Sequence, residues 1–142
     1  MFTQLDCQSG VWTPQFALDA KSTNYNTASF NFDCTATGYS GGYPCRAVRH
    51  TVTVDRPSAV VASIYAAHGL EPSHDLVVGI MVDGSTCAGN RFMSVYGYYA
   101  QSSASCSRWV GPGTSTVTLY LTSSTNAAIR PGITVIGGVL VM

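Results

Sequence analysis

The chain has 142 residues, with seven Lys and Arg against seven Asp and Glu and only 10% charged residues in all, so it has room for one domain with a real hydrophobic core and not for two ordinary ones. Zero formal net charge, with no stretch that gathers Lys or Arg, excludes the basic stripe that phosphate backbones require, and nucleic acid is not an expected partner. A single Lys (Lys21) and a single Glu (Glu71) also argue against long surface helices, which normally pair these residue types.

In chain order, Phe2-Thr3-Gln4-Leu5-Asp6 is neither basic nor followed by an apolar run, so no signal peptide is read there. No segment reaches the ~20 apolar residues of a membrane span. The expectation is a fragment of a larger exported protein, with Met1 supplied as a start codon. Val48, His50, Val52 and Val54 alternate with Arg49, Thr51 and Thr53, which predicts a strand with one buried and one wet face. Val60 to Ala67 and Leu76 to Val82 are almost continuously apolar and predict strands near the middle of the fold. Asp83-Gly84 follows at once, a tight-turn signal because both central residues of a type I′ turn need positive φ. Arg91 to Tyr99 reads as an aromatic-rich strand. Val117, Leu119 and Leu121, alternating with Thr116, Thr118, Tyr120 and Thr122, read as a half-exposed one, and Ile133 to Met142 as a last strand. Gly111-Pro112-Gly113 and Arg130-Pro131-Gly132 punctuate the chain as turns. About eight strands at this spacing predict an all-β fold, a two-sheet antiparallel β-sandwich of jelly-roll type with intrachain disulfides.

Five cysteines, at positions 7, 34, 45, 87 and 106, show none of the close spacings of a zinc or redox motif. Disulfides in an extracellular setting are expected, pairing Cys34 with Cys45 and Cys87 with Cys106, and leaving Cys7 free or committed to another chain. Reduced core thiols are the alternative.

Candidate chemistry is sparse apart from one stretch. Gly38-Tyr39-Ser40-Gly41-Gly42 satisfies the letter of a nucleophile-elbow motif but lies between two cysteines with no helix after it, and an esterase or depolymerase using Ser40 ranks last. His50 sits on an apolar strand face and reads as a satisfied core histidine. His68, Glu71, His74 and Asp75 share a segment read as a solvated loop, since no spacing there matches a known metal site. No catalytic group, metal or cofactor is expected, and the chain is read as a non-enzyme. Between Asp83 and Trp109 the sequence gathers Asp83, Asn90, Arg91, Tyr96, Tyr98, Tyr99, Gln101 and Trp109. Sugars are bound by such mixtures: rings stack on Tyr or Trp, and hydroxyls meet amides, carboxylates and Arg. Asp83, Asn90, Arg91, Tyr96, Tyr98 and Trp109 are the candidate ligand-binding residues, with Tyr39, Tyr43 and Arg46 a weaker second group.

Two resemblances bear on role. Leu5-Asp6-Cys7-Gln8-Ser9-Gly10-Val11-Trp12 resembles the Cys-Gln-Ser-Gly-x-Trp segment near the C-terminal region of PilV-type adhesins of conjugative (type IV) pili, where a constant stem meets a part exchanged by shufflon recombination. The resemblance implies that residues 1–15 end the stem and that the whole chain, 1–142, is a single C-terminal receptor-binding domain at an extracellular pilus tip. It would be joined to the pilus shaft through a region N-terminal to it and would select recipient bacteria by their lipopolysaccharide or another surface glycan. The order of motifs from Thr51 to Met142 looks like the jelly-roll heads, related to the tumour-necrosis-factor and C1q fold, that cap phage fibres. Such heads usually form homotrimers, and a trimeric head with a structural and receptor-binding role is the alternative reading.

Overall fold

The computed structural model describes residues 5–8, 11–14, 21–33, 45–68, 74–94, 100–123 and 134–142. Among them, the strands are β1 (Leu5–Gln8), β2 (Val11–Pro14), β3 (Lys21–Tyr25), β4 (Phe32–Asp33), β5 (Cys45–Val54), β6 (Ser58–His68), β7 (His74–Val82), β8 (Ser85–Ser94), β9 (Ala100–Val110), β10 (Gly113–Ser123) and β11 (Thr134–Val141). The only helical element among the described residues is one 3-10 turn, Thr27–Ser29.

Every ladder is antiparallel, in the orders β3-β11-β6-β9 and β4-β5-β10-β7-β8, with β1-β2 as a separate hairpin. If β1, β2 and the two-residue β4 are set aside, the pairings nest: β3 with β11, β5 with β10, β6 with β9, β7 with β8. A long antiparallel ribbon rolled into two facing sheets produces this nesting, and it defines a jelly roll. The β-sandwich expected from the strand spacing is therefore the observed fold.

Most of the predicted strands form for the anticipated reason. In β6, Val60, Ala62, Ile64 and Ala66 point into the core while Ser63 is exposed, and β7 buries Leu76, Val78, Ile80 and Val82. These side chains meet Val117, Leu119, Leu121, Val135 and Val139 in one cluster between the sheets, where each buried Val, Leu or Ile contributes roughly 1.5–3 kcal/mol of transfer free energy. Asp83 and Gly84 have φ of 50° and 79°, the positive pair that a type I′ turn requires. Strand β10 departs from expectation. Thr118, Tyr120 and Thr122 are buried as well as Val117, Leu119 and Leu121, so from Val117 onward the strand is covered on both faces, whereas Thr116 is half-buried and Thr114 exposed. Tyr120 lies over Gly79 of β7, in the space a Cβ there would need, and packs with Cys45, Ala47 and Met81.

Both open sides of the roll are tied. On one, the predicted Cys87–Cys106 disulfide joins β8 to β9, the outermost strands of the two sheets, with a Cα–Cα distance of 5.9 Å. Two hydrogen bonds flank it: Arg108 donates to the Thr86 carbonyl (3.0 Å) and Asn90 to the Ser103 carbonyl (3.1 Å). Cys45 is also disulfide-bonded; its expected partner Cys34 lies outside the described residues. On the other side, the Tyr25 hydroxyl of β3 bonds His50 Nδ1 of β5, with the rings edge to face at 5.8 Å. His50 is thus a satisfied structural histidine, as its place on an apolar face suggests.

Burial raises the Tyr25 pKa and lowers that of His50 from 6.5. As pH falls, the unfolded chain then takes up the histidine proton first. The stability held by neutral His50 is complete above about pH 6.5 and is lost as pH drops through the lower, folded-state pKa. The expected result is a thermal midpoint that falls between about pH 7 and about pH 5, with a shallower fall in His50→Gln. Equal slopes in the two proteins would assign the pH dependence elsewhere.

Gly137 faces the core on β11. A Cβ there would stand 2.7 Å from Leu119 Cδ1 and 3.1 Å from Phe30 Cζ, and Leu119 is fully buried with no room to retreat. Gly137→Ala is expected to cost about 1–3 kcal/mol in urea unfolding.

Candidate functional site

The two outer faces of the sandwich differ. On the five-stranded sheet the outer face is closed around Tyr120, Ala47 and Thr122, and at its other end Arg49, Thr51, Thr53 and Thr114 are exposed, with the Thr53 and Thr114 hydroxyls hydrogen-bonded at 3.2 Å. On the four-stranded sheet, β3-β11-β6-β9, it is open. Strand alternation and register set this face in rows, because directly opposed antiparallel residues project to the same side.

The middle row is Asn24, Gly138, Ser63 and Ser105, one residue from each strand. Toward the β6–β7 end lie Ile136, Tyr65 and Ser103; toward the other end lie Ser22, Leu140, Val61 and Ser107. Beyond these, Ala59 pairs with Trp109 and exchanges backbone hydrogen bonds with Met142. Strands about 4.8 Å apart make the middle row roughly 14 Å long.

Trp109 is 72% exposed and Ile136 56%, large apolar side chains left in water. The Tyr65 hydroxyl donates to Gln101 Oε1 at 3.1 Å, which ties the tyrosine across the β6–β9 seam. Between Tyr65, Ile136 and the Ser63, Ser103 and Ser105 hydroxyls lies a shallow concavity of about 320 Å³. Apolar side chains therefore stand beside hydroxyl and amide groups, and no side chain in these rows carries a formal charge. Such a surface can stack a flat apolar ring face and exchange hydrogen bonds with neutral hydroxyls. Among the described residues no group of His, Cys, Asp or Glu could hold a metal ion.

The described residues among those singled out from sequence are not gathered at one place. Trp109 is on this open face. Asp83 is in the β7–β8 turn, where its carboxylate accepts from Thr116 N–H (2.9 Å) and its own N–H donates to the Thr116 carbonyl (2.9 Å). It ties the turn to β10. Asn90 bonds Ser103 across the gap between the sheets. Arg91 is on β8 opposite Val77, in the other sheet. Tyr96 and Tyr98, like Tyr39, Tyr43, Ser40 and Glu71, lie outside the described residues.

No family model and no curated protein matches this chain. Solved structures do resemble it. One is the CBM36-1 domain of a multidomain xylanase from the hindgut metagenome of Trinervitermes trinervoides, at 11% identity and TM-score 0.38, covering 86% of this chain and 97% of that one. A second is a family 35 carbohydrate binding module from Clostridium thermocellum, at 14% identity and TM-score 0.38, covering 86% and 91%. A third is a Podospora anserina GH26-CBM35 beta-(1,4)-mannanase, at 10% identity and TM-score 0.39; the match covers 85% of this chain and 27% of the mannanase. At such identities the likeness concerns fold alone, and a fold does not specify a ligand.

Tyr65, Ile136, Gly138, Ser63 and Asn24 were not legible as site residues. They come from three strands far apart in sequence and meet only through register. The usable signal was local: Tyr65 and Ile136 are large apolar residues at positions that alternate with the core-facing ones.

Proposed function

We propose that this chain is a non-catalytic glycan-recognition domain that binds through the open face of its four-stranded sheet. In the finer form of the reading, it belongs to an extracellular pilus-tip adhesin and engages the lipopolysaccharide of recipient bacteria, with the pilus shaft attached through a region N-terminal to it. The observation that carries the glycan reading is the exposed Trp109 and Ile136 on the same face as Tyr65 and a row of hydroxyl and amide side chains. Beside neutral hydrogen-bonding groups an exposed tryptophan suits the two-sided character of a pyranose. The pilus reading is supported by the Cys-Gln-Ser-Gly-Val-Trp segment, which spans the β1–β2 hairpin with Cys7 opposite Trp12. The test is saturable binding of the folded domain to an array of bacterial lipopolysaccharides and their oligosaccharides; a folded domain that binds none of them overturns the reading.

The exposed apolar side chains also support a second reading, a trimeric fibre head. An obligate trimer in solution, dissociated by Trp109→Ala, would favour it, whereas a monomer that binds glycan favours the first.

A further inference from the structure

We infer that the open face selects an uncharged glycan that lies across the strands, along the row Asn24, Gly138, Ser63 and Ser105. This rests on the glycan reading above and adds the ligand's charge class and its path. Gly138 has no side chain, and the rows on either side carry Leu140 with Val61 and Ile136 with Tyr65, so the middle row dips at the glycine between two apolar rows and makes a shallow trough. A Cβ on Gly138 would stand 3.4 Å from Asn24 Oδ1 and 3.6 Å from Ser63 Oγ. Two polar atoms thus converge on the space over the glycine, where a sugar hydroxyl could donate to the amide oxygen and share a hydrogen bond with the serine.

Charge selection follows from what the trough lacks. The cations nearest in sequence to this face, Lys21 and Arg108, alternate away from it: Lys21 is opposite Val141, and Arg108, opposite core-facing Val60, bonds the Thr86 carbonyl. A uronate or phosphate seated in the trough would lose water and find no counter-charge among the described residues, whereas a neutral hydroxyl exchanges one hydrogen-bond partner for another. Binding should also be nearly independent of salt, since no ion pair forms.

The test uses the whole chain and an array of bacterial O-polysaccharide fragments, neutral and acidic. Neutral fragments are expected to bind at least about tenfold more tightly than acidic ones, with affinity changing less than about twofold between about 0.05 and 0.5 M NaCl. Gly138→Ala adds a methyl group at ordinary contact distances on a backbone without positive φ. It is expected to keep the fold, checked by circular dichroism melting, and to weaken neutral-glycan binding about tenfold or more. Ser63→Ala, which removes only an exposed hydroxyl, is expected to weaken it about threefold to tenfold. Preference for acidic fragments, a steep salt dependence, or unchanged binding in both variants overturns this inference and leaves glycan binding standing. Absence of binding to either class overturns the glycan reading beneath it.

Discussion

Trp109→Ala is expected to lower glycan affinity about 30-fold, a loss of about 2 kcal/mol, and to leave the fold intact. The indole is 72% exposed, so truncating it removes little of the packing that holds β9. A surface substitution of this kind should shift stability by no more than about 0.5 kcal/mol. Trp109 stands two rows from Ser105 on β9, about 13 Å along the strand, so its ring would cover a sugar unit that extends from the middle row past Leu140 and Val61, and buried aromatic anchors of that sort dominate binding energies. Isothermal titration of the wild type and the variant measures the difference, with a melting curve as the check on folding. Arg91→Ala is the informative control, because Arg91 is on β8, in the other sheet. Strong loss of binding in Arg91→Ala with none in Trp109→Ala would move the site away from the open face.

Replacing both cysteines of the bridge, Cys87→Ala with Cys106→Ala, is expected to cost about 3 kcal/mol and to lower the thermal midpoint by about 10 °C. The bridge closes a sequence separation of 19 and joins the outermost strands of the two sheets. Without it the unfolded chain gains loop freedom, and the β8–β9 side is held by the Arg108–Thr86 and Asn90–Ser103 hydrogen bonds, each worth roughly 0.5–1.5 kcal/mol net. The double variant is preferable to chemical reduction because Cys45 is also disulfide-bonded and a reductant would open both bridges. A midpoint within about 2 °C of wild type would mean that those hydrogen bonds and the core suffice to close that side.

Much of the architecture was legible because it depends on local pattern. Alternation in β5, the apolar runs of β6 and β7, and the positive-φ demand at Asp83-Gly84 each act within a few residues, and each is realised. Strand β9 was not legible. Gln101-Ser102-Ser103-Ala104-Ser105-Cys106-Ser107 carries almost no apolar signal, and it is a strand because β6 supplies its hydrogen-bond partners and Cys106 its anchor. The site shows the same division. Asp83, Asn90, Arg91 and Trp109 are close in the chain, yet Asp83 secures a turn and Asn90 spans the sheet gap, because β8 and β9 belong to different sheets.

The amino-acid order alone determined that this chain is built of strands and where several of them turn, and it led to the expectation of the Cys87–Cys106 pair, which the structure shows joining β8 to β9. Which side of each sheet meets water was decided only by the assembled roll. Alternation gives every strand two faces, but the burial of Tyr120 against Cys45, Ala47 and Met81 and the meeting of Asn24 and Ser63 beside Gly138 depend on neighbours that come from distant parts of the chain.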